Sequence, residues 1–510
     1  MIRQTLSGLA IISLLLSGCA PQFAGRKENL EYLQYATDRY LSSYYLKGSS
    51  WSIMAVDLES GRILLNHESD RSLIPASGMK LLTSACALET LGPDYRVETL
   101  VGYKGSIDSA GTLQGDLIVV GAGDPSIATH FKTGNPAIST DGIDEIMYAW
   151  VDSVSARGIC RINGNIEGYS GLFGGKTLGS GWEWSDLKYW FAAEVNPLSY
   201  ADNCTVFNIT PGKNTGDPAQ IEIAPDSDYI HLYHNVTTAD SGEDVDLHLD
   251  RTMANNIFSV WGSIPVNGEP QELWASVYNC DEYFLSALSS ALINRGIECE
   301  GTLEVNSENS VDKDQLSVLF THYSPPLQHW IRIINRDSQN LYAELLIRVL
   351  GVEGLEAGIV NFDASQSAFK LGRRRVLDWE KSLPGSSTGV VMADGSGLSR
   401  RNLTSASGIM KILTQMNRSP YRSEFFRSLA NPGNGTLKDR FLGLPQGIYL
   451  SAKTGSMARI RSLSGYISTE AGPKVAFSII CNNYLCESAE ADATIENIVQ
   501  LLALYAKEGL

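Results

Sequence analysis

Hydrophobic and polar positions change their period several times along the chain. Residues 29–48, NLEYLQYATDRYLSSYYLKG, space their apolar side chains as a helix does and stop at Gly48. Residues 51–67, WSIMAVDLESGRILLNH, alternate instead, with Ser60-Gly61 between two apolar runs, which predicts a hairpin. RSLIPASGMKLLTSACALETLGP (71–93) then reads as a mostly apolar helix between Pro75 and Gly92-Pro93. From 94 to about 275 the chain turns to short β-like runs rich in Gly, Asp and Asn, such as GTLQGDLIVVGAGDPSI, RINGNIEGYSGLF and AQIEIAPDSDYIHLYHNV. Helical spacing resumes at DEYFLSALSSALINRGI and continues through SQNLYAELLIRVLG and ASGIMKILTQM. GIYLSAKTG, SLSGYIS and KVAFSIICNN read as strands, and ADATIENIVQLLALYAKEG closes the chain as an amphipathic helix. The simplest organisation is one α/β (α+β) domain split in sequence. Its first part is 29–93, a β-rich insertion takes 94–275, and its second part is 276–510.

Length and charge narrow the class. A chain of 510 residues with 43% hydrophobic content can bury sizeable cores and predicts two or more domains. Its net charge of -17 argues against nucleic acid and against docking through a basic patch on an anionic membrane. The N-terminus, MIRQTLSGLAIISLLLSGCA, has an Arg, an apolar run too short to span a bilayer, and Leu16-Ser17-Gly18-Cys19. This is the layout of a secretory signal (1–18), and its ending resembles a bacterial lipobox. Cys19 would then be lipidated and 19–28 would be a tether, placing the protein on a membrane facing the periplasm. By resemblance to lipoprotein sorting, Ala20 favours the outer membrane. Seven further cysteines, an odd number, leave at least one free thiol unless chains pair. Cys86 is expected to act as a small core hydrophobe.

Four S-x-x-K motifs occur: Ser77/Lys80, Ser185/Lys188, Ser310/Lys313 and Ser367/Lys370. Context separates them. Ser185 stands among aromatic and acidic residues, Ser310 in a polar run, and Ser367 in a helical stretch with no strand or proline ahead. Only Ser77 sits between a strand and an apolar helix. There, free backbone N–H groups receive negative charge, and Lys80 lies one turn on. Burial favours a neutral lysine, which could take the serine proton. Ser338 and Asn340 form S-x-N at a predicted helix start, where an N-cap is the plain alternative. Lys453-Thr454-Gly455 ends a strand pattern, whereas the second K-T-G, at Lys132, is turn-like. A strand edge can pair with an extended peptide. His231, His234 and His248 match no metal motif, and the Trp/Tyr run GWEWSDLKYWFAAEVNPLSY either faces the cleft or packs the insertion, packing being the favoured expectation.

In the order S-x-x-K, S-x-N, K-T-G, the chain resembles the penicillin-binding D-alanyl-D-alanine carboxypeptidase/endopeptidase family of serine peptidases. It is similar to the branch with a large insertion after the S-x-x-K helix (DacB-type, peptidase family S13). GAGDPSI, DGSGLSRRN (394–402), NGTLKDRF (434–441) and LSGYIS (463–468) match further. The resemblance covers 29 to the end and implies a serine β-lactamase/DD-peptidase-like transpeptidase domain. It implies a Ser77 nucleophile, Lys80 as its base, and Ser338 as proton relay to the leaving D-alanine. Asn340 would orient Lys80 and the substrate amide, Lys453 would set positive potential, and Thr454 would bind the terminal carboxylate, with Arg459 or Arg461 assisting. Backbone N–H groups of Ser77 and of Ser456, which follows Gly455, would form the oxyanion hole. The substrates would be peptidoglycan stem peptides, with β-lactams as covalent inhibitors and no metal or cofactor. Endopeptidase action belongs to the same branch. Gln339 stands where β-lactamases have Asp. No E-x-x-L-N segment lies between Asn340 and Lys453, which weakens the alternative of a serine β-lactamase or esterase.

Overall fold

The computed structural model describes residues 26–131, 145–307, 316–353, 367–385 and 389–508. The signal segment, Cys19, most of the tether, the K-T-G at Lys132 and the Ser310/Lys313 pair lie outside the described residues. The chain begins with α1 (Arg26–Leu41), the hairpin β1 (Ser50–Asp57) and β2 (Ile63–His67), and α2 (Lys80–Leu91). The first helix ends at Leu41 rather than at Gly48, because Tyr44–Leu46 tighten into a 3-10 turn. Gly61 turns the hairpin with φ +72°, and Gly92 ends α2 with φ +80°, both left-handed positions that suit glycine.

Next come β3 (Glu98–Ile107), β4 (Thr112–Val120), α3 (Glu145–Ala156), β5 (Arg161–Ile162) and β6 (Ile166–Tyr169). They are followed by β7 (Cys204–Thr210), β8 (Gln220–Ala224), β9 (His231–Ala239), β10 (Asp246–Arg251), β11 (Ile257–Pro265) and β12 (Gln271–Ser276). Then come α4 (Cys280–Asn294), β13 (Glu298–Cys299), β14 (Leu303–Asn306) and β15 (Ser317–Tyr323). The helices α5 (Leu327–Arg336), α6 (Asn340–Val352), α7 (Ala368–Ser382), α8 (Ala406–Arg418) and α9 (Arg422–Ser428) lead to β16 (Tyr449–Met457), β17 (Ile460–Thr469), β18 (Gly472–Asn482) and α10 (Ser488–Glu508).

The first sheet has the strand order β16-β17-β18-β1-β2: the chain's last strands pair with its first. β18 runs antiparallel to β1, with Ile479 opposite Ile53. Both faces of this sheet are covered, so its central strands β1 and β18 are buried along most of their length. Along β18 the side chains alternate between two cores. Val475, Phe477, Ile479 and Cys481 join the core with α10, while Ala476 and Ile480 join the core with α2, α5, α6 and α8. The result is the mixed α/β architecture expected, with a β-rich inserted region.

The inserted region has its own core and three sheets, ordered β10-β11-β9, β12-β7-β8 and β13-β5-β4-β3-β15, with β6 and β14 attached to the last. These pairings run past the expected boundary at 275. β15 pairs with β3, and Tyr283, Phe284 and Leu285 of α4 are buried in the inserted region's core. Helical spacing at 281–297 marks a helix but not which core that helix covers.

Candidate functional site

Ser77 lies in a 3-10 turn, Ala76–Met79, and Lys80 is the first residue of α2, so a short loop separates β2 from the serine. Ala76 takes φ +48°, an uncommon conformation for a residue with a side chain and one that re-aims the chain just before Ser77. β16 presses on this turn. A Cβ on Gly455 would come within 2.6 Å of Pro75 O, and Ser462 on β17 donates to that oxygen at 2.7 Å. The glycine of K-T-G therefore permits a close approach of strand and turn.

Lys80 is fully buried, and its Nζ stands 2.8 Å from Ser77 Oγ, 2.5 Å from Asn340 Oδ1 and 2.7 Å from Ser396 O. A neutral amine has two N–H groups and one lone pair. Asn340 Oδ1 and Ser396 O are acceptors only and take the two N–H groups. The lone pair then faces Ser77 Oγ–H, the one partner able to donate. Burial favours this neutral form and pushes the Lys80 pKa down to about 7, against the opposing charges of Asp394 and Glu344. Asn340 is fixed from the other side, donating to Phe191 O at 2.7 Å.

Ser338 takes φ +65°, and the N-cap role falls to Gln339, whose side chain accepts from Leu341 N at 3.0 Å. The Ser338 hydroxyl is thus not used as the cap and accepts from Lys453 Nζ at 2.9 Å. Burial, then the nearby Lys80, push the Lys453 pKa well below the usual lysine range, opposed by Asp337. An incoming carboxylate would favour its charged form. Thr454 Oγ1 donates to Thr436 Oγ1 at 2.8 Å. β16 is an edge strand of the five-stranded sheet, as a peptide-pairing strand must be.

Ser77, Ser338, Asn340, Thr454 and Ser456 line one cleft of about 450 Å³, with Lys80, Lys453 and Gly455 directly behind them. The two decoy pairs among the described residues stand apart from this cluster. Ser367 caps α7 by accepting from Lys370 N, and Lys188 pairs with Asp250. Two expectations are corrected. Arg459 donates to Leu485 O and Cys486 O, and Arg461 pairs with Asp492; Arg400, not either of them, lines the cleft. The aromatic run does not simply pack the insertion. It breaks into 3-10 turns that place Trp190 and Phe191 in the cleft wall, while Trp182 Nε1 donates to Asp394. His231 and His234 lie on β9 and His248 on β10, with β11 between. Among the described residues no three His, Cys, Asp or Glu side chains are arranged to hold a metal ion. Cys86 is buried, and burial pushes its thiol up to about 12.

Glu344 was missed. It lies four residues after Asn340 on α6, wholly buried, and accepts from Gly395 N and Ser396 N at 2.8 Å each. Its other oxygen accepts from Arg348 at 3.1 Å. Asp394 accepts from Gly397 N and Ser399 N, closing the same loop. The two carboxylates hold the Asp394–Gly397 turn so that Ser396 O meets Lys80. Glu344→Ala strands two buried N–H donors and an arginine. It should destabilise the fold by at least about 3 kcal/mol, read from chemical denaturation. Stability lost by less than 1 kcal/mol would contradict this role.

Five strands between two helical cores, with a β-rich insertion, make the fold of a penicillin binding protein. The crystal structure of penicillin binding protein 4 (dacB) from Haemophilus influenzae superposes with a TM-score of 0.74 at 24% identity, covering 92% of this chain and 99% of that one. The chain belongs to the D-Ala-D-Ala carboxypeptidase 3 (S13) family, whose pattern matches residues 33–505. It is 28% identical over 515 residues to a D-alanyl-D-alanine carboxypeptidase of Actinomadura sp. (strain R39), covering 98% of this chain and 89% of the relative. It is 26% identical over 461 residues to D-alanyl-D-alanine carboxypeptidase DacB of Haemophilus influenzae, covering 89% and 90%.

Proposed function

We propose that the protein is a serine-type D-Ala-D-Ala carboxypeptidase, with DD-endopeptidase action on cross-links at the same site, and that penicillin acylates it. One observation carries this reading: the only neutral-amine hydrogen-bonding pattern open to Lys80 points its lone pair at Ser77. Ser77 Oγ attacks the carbonyl of the penultimate D-alanine as Lys80 takes its proton. The N–H groups of Ser77 and Ser456 stabilise the tetrahedral oxyanion. Ser338, poised on Lys453, passes a proton to the departing amine. Thr454 and Thr436 offer hydroxyls to the terminal carboxylate. Water then hydrolyses the Ser77 ester. Family membership and the carboxypeptidase names of the relatives support the reading. Muropeptides digested by the purified protein should lose one D-alanine by mass spectrometry. Fast nitrocefin turnover without D-alanine release would favour the β-lactamase alternative.

We propose that the peptidase domain takes 29–93 and the residues after β15, with the inserted unit between them, a division that the pairing of the last strands with the first supports. We place the protein on a periplasm-facing membrane, through a lipid on Cys19. Labelled fatty acid should enter the native protein but not a Cys19→Ser variant; equal labelling of both would remove the anchor.

A further inference from the structure

A second groove, unused by the chemistry above, opens on the other side of Trp190. It encloses about 380 Å³ between the β10–β11 ribbon, β12 and the segment before Phe191, with Lys188, Tyr189, Trp190, His248, Trp261 and Trp274 in its walls. Trp190 lines this groove and the catalytic cleft alike. His248 and Trp261 face each other across the ribbon, and their rings stack at 5.4 Å with 25° between planes. Trp261 is nevertheless 43% exposed, so the pair presents a flat aromatic face to solvent rather than filling a core. Trp274 Nε1 donates to Glu272 at 3.0 Å, and Lys188 Nζ lies 5.4 Å over the Tyr189 ring while pairing with Asp250.

We propose that this groove binds the glycan strand of peptidoglycan, an inference that rests on the peptidase reading for its substrate. A pyranose ring has an apolar C–H face and a rim of hydroxyl and N-acyl groups. Tyr189, Trp190, Trp261 and Trp274 match the first, and Lys188, His248 and Glu272 match the second. Asp246, Asp250 and Glu272 make the surroundings acidic, which disfavours a carboxylate-rich peptide and leaves an uncharged sugar chain unaffected. A stem peptide of a few residues spans on the order of 15 Å when extended, and Trp190 lines both the Ser77 cleft and this groove, so one substrate can reach both.

Calorimetric titration of the detergent-solubilised protein with oligomers of β-1,4-linked N-acetylglucosamine, an uncharged strand, tests the groove, and release of D-alanine from a free pentapeptide is the control. Trp261→Ala and, separately, His248→Ala should each weaken strand binding by up to about tenfold and leave pentapeptide turnover unchanged. Both side chains are solvent-exposed, and unchanged melting temperatures would confirm intact variants. Unchanged strand affinity in both variants, or no strand binding by the native protein, overturns the proposal. If the native protein binds strands, with loss in both variants, but releases no D-alanine, the groove stands and the peptidase reading falls.

Discussion

Ser77→Ala is expected to leave a folded protein that no longer forms a covalent adduct with fluorescent penicillin. The change removes one hydroxyl and one hydrogen bond, that with Lys80 Nζ, which costs about 1 kcal/mol of stability. The other two partners of Lys80 remain, as do the Asn340–Phe191 and Lys453–Ser338 bonds that hold the cleft. Labelling should therefore vanish while the thermal transition shifts by only a few degrees. Ser185 and Ser367 cannot take over, because neither joins the Lys80 cluster: Ser185 sits in an exposed 3-10 turn and Ser367 is occupied as a cap. Adduct formation at the native rate would mean that the nucleophile lies elsewhere.

Lys80→Met should slow acylation by about 10³-fold, within the usual range for removing a positioned base. Methionine roughly keeps the volume of the buried side chain, so the loss reads out proton transfer more than packing. The pH dependence gives the sharper reading. With its pKa held near 7 by burial, Lys80 is protonated at pH 6 and mostly neutral at pH 8. Acylation by the native protein should rise across that interval, and the rise should be absent in Lys80→Met. Stability carries the opposite side of the same linkage. The folded state binds this proton less tightly than the unfolded chain, whose lysine keeps its ordinary value. The penalty is complete below pH 7 and relaxes as pH rises from about 7 towards that value. A flat acylation profile between pH 6 and 8 would remove Lys80 as the base.

How much of this was legible in the sequence depends on what carries each feature. Side chains at short spacing were legible. S-x-x-K sits on one turn, S-x-N opens a helix and K-T-G lies on a strand, so each is a local pattern, and their order singles out Ser77 among four equivalent pairs. The hairpin and terminal helix were equally plain, because a period of two or 3.6 states which face is buried. Backbone groups were not legible. Phe191 O and Ser396 O complete the shell of Asn340 and Lys80, and a carbonyl leaves no mark on residue identity. Glu344 was hidden for a related reason: in SQNLYAELLIRVLG it passes for a helix carboxylate, and the turn it holds is 50 residues away in sequence. The partner of α4 was not legible either, because periodicity reports a buried face and not what buries it; Tyr283, Phe284 and Leu285 pack with the core of the inserted strands.

The proposed reaction runs through an acyl-enzyme on Ser77 formed from a D-Ala-D-Ala peptide. The most direct measurement is rapid acid quenching of the protein turning over a pentapeptide that ends in D-Ala-D-Ala, followed by peptide mapping by mass spectrometry. A tetrapeptidyl ester is expected on the segment 71–93, located at Ser77, with one D-alanine released for each ester formed. An ester on any other residue, or D-alanine release from a Ser77→Ala variant, would contradict it.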